Sequence, residues 1–233
     1  MKKFAALLVL LCAPVALAQA PSEMDASPYF EQILKNDSVR VFLLTLDHGQ
    51  QVMAAHPHNF LMVTLQDCEV VLWPEGKSDV TSFRLNRGDA RFIFGGPAGG
   101  IRNEQTQPFR ALFVEFLDPK VTTFGYQSDG SWGYGVSSVG APVDPHTKFS
   151  NGISLGAATL TDVQLLPNDT LEAPDKPKPE LFIPVSDVDL KEGRNLRITN
   201  SSGEATWIPL GRKSTLENEG AEPARFLLVD FTE

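Results

Sequence analysis

Gly88-Asp-Ala-Arg-Phe-Ile-Phe-Gly-Gly96 returns 115 residues later as Gly203-Glu-Ala-Thr-Trp-Ile-Pro-Leu-Gly211. The same spacing carries Asn103-Glu104 onto Asn218-Glu219. It also carries Pro108-Phe-Arg-Ala-Leu-Phe-Val-Glu-Phe116 onto Pro223-Ala-Arg-Phe-Leu-Leu-Val-Asp-Phe231, so the correspondence runs for 29 positions without a gap. Agreement at one period over that length marks an internal duplication: two copies of one structural unit. Upstream the spacing widens to 120, which places Asp67 on Asp187 and His56-Pro57-His58 on Lys176-Pro177-Lys178. The change requires an insertion around Leu166 to Pro179.

The repeated unit reads as β-structure. Val39 to Leu46 is β-branched and apolar and ends in the turn Asp47-His48-Gly49. Phe60–Leu65, Glu69–Trp73, Val80–Leu85, Ala90–Phe94 and Arg110–Phe116 are further short runs separated by turn residues. Gly95 to Gly100 predicts a glycine-rich turn; it lacks the Lys-Ser/Thr of a phosphate-cradling loop. Only Pro28–Lys35 suggests a helical turn. Many short strands with regular turns predict an all-β sandwich or barrel.

Residues 1–18 predict a secretory signal: Lys2 and Lys3, the apolar run Phe4–Leu11, and cleavage after Ala16-Leu17-Ala18. The expected location is therefore the periplasm or the exterior. Its removal leaves 18 basic against 29 acidic residues, a net charge of −11. That balance disfavours nucleic acid and anionic membrane surfaces as partners. Cys68 is the single cysteine of the mature chain, which excludes an internal disulfide. The reading divides the chain into an N-terminal segment (19–35), a first domain (36–118), a Gly- and aromatic-rich linker (119–149) and a second domain (150–233). Phe124, Tyr126, Trp132 and Tyr134 of the linker either pin it to the domains or form a lid.

His56 and His58 are candidate ligands, since residues i and i+2 of a strand point to one side and can share a metal or a small molecule. Cys68 reads as a half-buried hydrophobe, Arg110 and Arg225 as strand-end surface residues, and Lys176 and Lys178 as an exposed extended segment.

These residues resemble the cupin superfamily. Its first motif is Gly, five residues, His-x-His, three or four residues, Glu, six residues, Gly. Its second is Gly, five residues, Pro-x-Gly, two residues, His, three residues, Asn. Gly88, Gly96 and Asn103 fit the second motif, with Phe94 at its proline; Gly203, Pro209, Gly211 and Asn218 fit it again. His56 and His58 supply the His-x-His. The resemblance implies a bicupin: two tandem jelly-roll (double-stranded β-helix) barrels, each closed around a pocket. It also implies a possible homodimer.

The resemblance further implies a metal held by three histidines, or by three and a glutamate. The glutamate position falls near Met62 or Val63, and the second-motif histidine on Gly99 and Ser214. His56 and His58 thus form an incomplete site for iron, manganese, zinc or nickel, to be completed from Gln50, Gln51 or a bound carboxylate. The expected pocket residues are His56, His58 and Gly99. Three functions stay open: an exported bicupin binding a small molecule in its N-terminal barrel, a metal-dependent enzyme of dioxygenase, isomerase or decarboxylase type, and a structural or interaction module.

Overall fold

The computed structural model describes residues 22–76, 81–122, 146–193 and 196–232, the side chains of Ser22, His56, Thr81 and Pro97 excepted. The expected signal segment and the aromatic stretch of the expected linker lie outside the described residues. The first half contains β1 (Ser22–Glu23), β2 (Phe30–Lys35), β3 (Val39–Leu46), β4 (Gln51–His56), β5 (Phe60–Thr64), β6 (Cys68–Pro74), β7 (Thr81–Leu85), β8 (Ala90–Ile93), β9 (Gly96–Asn103) and β10 (Phe109–Phe116). The second contains β11 (Phe149–Ser154), β12 (Ala158–Leu165), β13 (Thr170–Leu171), β14 (Glu180–Pro184), β15 (Val188–Glu192), β16 (Leu196–Asn200), β17 (Thr206–Ile208), β18 (Leu216–Asn218) and β19 (Ala224–Phe231). No helix among the described residues is long and apolar enough to cross a membrane.

The duplication is visible in the strand order. Sheet β2-β3-β10-β5-β8 matches sheet β11-β12-β19-β14-β17 strand for strand, and β4-β9-β6-β7 matches β13-β18-β15-β16; β1 alone has no counterpart. Registers repeat as well. Ala111 opposes Thr64 as Phe226 opposes Pro184, and Glu115 opposes Phe60 as Asp230 opposes Glu180, which upholds the spacings of 115 and 120.

The repeated asparagines close the repeated turns. Asn103 Nδ2 donates to the carbonyls of Leu46 (2.9 Å) and Gln107 (2.8 Å), and its Oδ1 accepts from the Gln105 N–H (3.0 Å). Asn218 makes the same three bonds, to Leu165 (3.0 Å), Glu222 (2.9 Å) and Gly220 (3.0 Å). Asp67 and Asp187, also paired by the repeat, accept from the backbone N–H groups of Arg87 and Ser202.

Alternation along the strands sorts the core. Phe42, Leu44, Phe60, Met62, Ala111 and Phe113 fill the interior of the first barrel, and Val163, Phe182, Phe226 and Leu228 that of the second. The opposite faces of the same strands meet between the barrels: Val41, Leu61, Val63, Leu112 and Val114 join Leu160, Leu181, Ile183, Leu227 and Val229 in one continuous core. Strands covered on both sides explain the unbroken apolar runs in β5 and β14.

Two local expectations are corrected. Residues 30–35 form a strand, because Phe30 anchors them on Phe42 and Phe113 (ring centroids 6.3 and 5.2 Å) and they pair with β3 across the Asn36 turn. Gly96–Gly100 also lies in a strand. Glycine there admits the Trp73 ring: a Cβ at Gly100 would fall 2.0 Å from Trp73 Cε2.

Candidate functional site

The mouth of the first barrel lies where β4 ends and β5 begins. Val52 opposes Ile101 and Ala54 opposes Gly99; since Val52, Ala54 and Ile101 face the interior, Gly99 faces it too. Met62 and Val63, the two candidates for the expected glutamate position, are both wholly buried, Met62 in this same apolar core and Val63 in the core between the barrels. The strand does not continue through the histidines. Its register slips between Ala54 and His56, β4 stops at His56, and half-buried His58 lies in the bend that follows Pro57. A bulge and a proline thus end the regular alternation of the backbone at this point. Close packing fixes the bend: Gly95 N–H donates to Asn59 Oδ1 (2.9 Å), and a Cβ at Gly95 would stand 2.7 Å from the His58 carbonyl carbon.

Gln50 Oε1 accepts from the Asp47 N–H within the turn, and Gln51 is exposed. Sequence reasoning missed the acid at this end of the barrel. Glu115 shares the inward face of Ala111 and Phe113 and is completely buried; Arg40 Nε donates to its Oε2, while Oε1 has no hydrogen-bond partner. Arg40 also pairs with Asp25 (3.3 Å). Asp25 sits on the short 3-10 turn Met24–Ala26, which buries Met24 in the barrel core.

Arg40 offsets the charge of the buried Glu115 carboxylate at Oε2 and leaves Oε1 open, and no group of three or more His, Cys, Asp or Glu side chains among the described residues, which do not include the His56 side chain, is arranged to hold a metal ion. Cys68 is buried, and desolvation pushes its thiol up to about 12, so it has the environment of an inert hydrophobe.

The second barrel carries a different set at the equivalent level. Where the first has Arg40, Glu115 and Phe60 side by side, the second has Thr159, Asp230 and Glu180. Arg212 Nε donates to both Glu180 oxygens at 3.0 Å, and both side chains are almost wholly buried. Burial pushes the Glu180 carboxyl up to about 7; Arg212 acts against this and Asp230 adds to it. A third buried pair ties the barrels together. Arg225 holds Asp162 through two bonds (3.2 and 2.9 Å) and donates to the Arg87 carbonyl of the first barrel (3.2 Å). Arg225 is thus an interface residue, not a surface one.

The architecture has close parallels among solved structures. AerE from Microcystis aeruginosa matches with a TM-score of 0.62 at 11% identity, over 91% of this chain and 97% of its own. Oxalate decarboxylase from Lactobacillus farciminis, solved as a formate complex, matches with 0.56 at 14% identity, over 84% and 78%. The chain folds as a bicupin. Vicilin from Capsicum annuum, at 0.62 and 9% identity over 84% and 76%, shows that the same bicupin architecture occurs in proteins of very different names. Identities this low establish the fold alone. No known family profile matches the bicupin sequence, and no curated protein is significantly similar to it.

Proposed function

We propose that this bicupin is an exported protein that binds a small molecule at the mouth of its first barrel without a complete metal centre. One observation carries the reading: the motif positions that need donors hold Met62 or Val63, both sealed in apolar cores, and Gly99, with no side chain. Half-buried His58 remains at the rim to meet a ligand. The interior beneath is filled by packed phenylalanine and aliphatic side chains, so the ligand occupies the rim rather than the barrel centre.

A metal-dependent enzyme is the second reading. Glu115 Oε1 favours it, because a fully buried carboxylate oxygen without a partner is the kind of atom a cation satisfies. The two separate by experiment. The mature chain is reconstituted in turn with iron, manganese, zinc and nickel, and metal is counted against the His56→Ala/His58→Ala variant. The binding reading expects well under one metal per chain in both; one per chain, lost in the double variant, overturns it.

A further inference from the structure

The second barrel, whose motif positions hold lysines instead of histidines, has a cleft of its own. Thr159, Pro174, Asp175, Lys176, Lys178 and Asp230 line a volume of about 380 Å³, and a second hollow of about 360 Å³ lies along Lys176, Pro177, Lys178, Pro179 and Thr232. Both are within the size range of small-molecule sites. Lys176 and Lys178 line both hollows from the segment before β14, which bends at Asp175 and Lys176. It is held against the chain at Gly211, where a Cβ would fall 2.0 Å from the Lys178 carbonyl oxygen. Gly211 has φ +65, so both its backbone and its missing side chain serve this approach.

Beneath the cleft lies a buried charged layer. Asp230 lines the cleft and opposes Glu180 across β19 and β14; Glu180 is clasped by Arg212; and Arg212 Nη1 is buried without a hydrogen-bond partner. An unspent guanidinium nitrogen in a nearly inaccessible side chain is costly unless something accepts from it. The cations here stand out in a chain whose overall balance is strongly acidic. Asp175, Asp230 and the Thr159 hydroxyl stand beside them, so the lining offers acceptors as well as cations.

We propose that this cleft binds a small carboxylate bearing hydroxyl groups, its carboxylate between Lys176 and Lys178 and its hydroxyls on Asp230 and Thr159. A plain anion leaves the two aspartates repelling it, and a neutral sugar leaves the two ammonium groups without a counter-charge; a hydroxylated acid answers both. Burial raises the Glu180 carboxyl to about 7, so Glu180 carries part of its proton near neutrality, which lessens the repulsion of an incoming anion.

The test is an NMR titration of the ¹⁵N-labelled mature protein with gluconate, glucose, acetate and inorganic phosphate. Gluconate should give saturable shifts at Thr159, Lys176, Lys178 and Asp230, with glucose and acetate at least tenfold weaker. The Lys176→Gln/Lys178→Gln variant, both of whose positions are exposed, should fold normally and bind gluconate at least tenfold more weakly. Three results would overturn the proposal: no saturable shift with gluconate, equal binding by the double variant, or phosphate or acetate binding as tightly as gluconate.

Discussion

Gly88 of the first barrel lies against the Arg225 guanidinium of the second: a Cβ at Gly88 would stand 3.0 Å from Arg225 Cζ and 2.9 Å from Val185 Cγ1. The duplicate glycine, Gly203, meets the first barrel in the same way, at 2.9 Å from Leu65 Cδ1 and 3.4 Å from an Arg110 nitrogen. Each copy of the motif glycine therefore makes room for the other copy's arginine. With φ at +85 and +95, both positions also require a backbone that other residues adopt only under strain. Gly88→Ala should destabilise the protein by about 1–3 kcal/mol, measured by urea denaturation. An unchanged midpoint would show that the close approach is not maintained.

The Asp162–Arg225 pair should matter more than any surface ion pair, because removing one partner strands a buried charge. Arg225→Ala is expected to cost about 3–5 kcal/mol. The Asp162→Asn/Arg225→Ala double variant should cost less than the two single variants together. Additive losses would mean that the contact is not a functional pair.

Asn103 and Asn218 make duplicate sets of three bonds in turns that do not touch. Alanine at either should cost about 1–3 kcal/mol, and the costs should add. A large loss at Asn103 with none at Asn218 would show that the second copy no longer depends on its motif.

Glu180 also predicts how stability depends on pH. Its folded carboxyl titrates near 7 against an ordinary value of 4.5, so between these values the folded state holds the proton more often than the unfolded chain. The contribution to stability is full below about 4.5 and is lost as the pH rises through 7. Asp89 and Asp162, also raised by burial, act in the same sense. Urea unfolding at pH 5 and pH 8 should give the lower free energy at pH 8. Asp230→Asn, which removes a carboxylate that raises Glu180, should narrow the gap; a gap of the opposite sign contradicts the assignment.

Most of the fold was legible because the duplicated segment, Gly88 to Phe116, spans the motif turns and the central strand β10. What escaped were elements whose conformation depends on a distant partner. Phe30–Lys35 becomes a strand only by pairing with β3, and Gly96–Gly100 extends because Trp73 lies on it. The charged layers were hidden for the same reason: Arg40 is 75 residues from Glu115, and Arg225 is 63 from Asp162. One signal was available. Glu115 has the parity of Ala111 and Phe113, so a charge was due on an inward face and required a partner.

The central claim, that the first barrel lacks a complete metal centre because Gly99 stands where a ligand belongs, is tested most directly by zinc titration calorimetry of the wild type beside Gly99→His, with circular dichroism confirming that both are folded. The account predicts weak, substoichiometric zinc binding by the wild type and binding at least tenfold tighter, at one ion per chain, by Gly99→His. Tight one-to-one binding by the wild type, or no gain from the added imidazole, would contradict it.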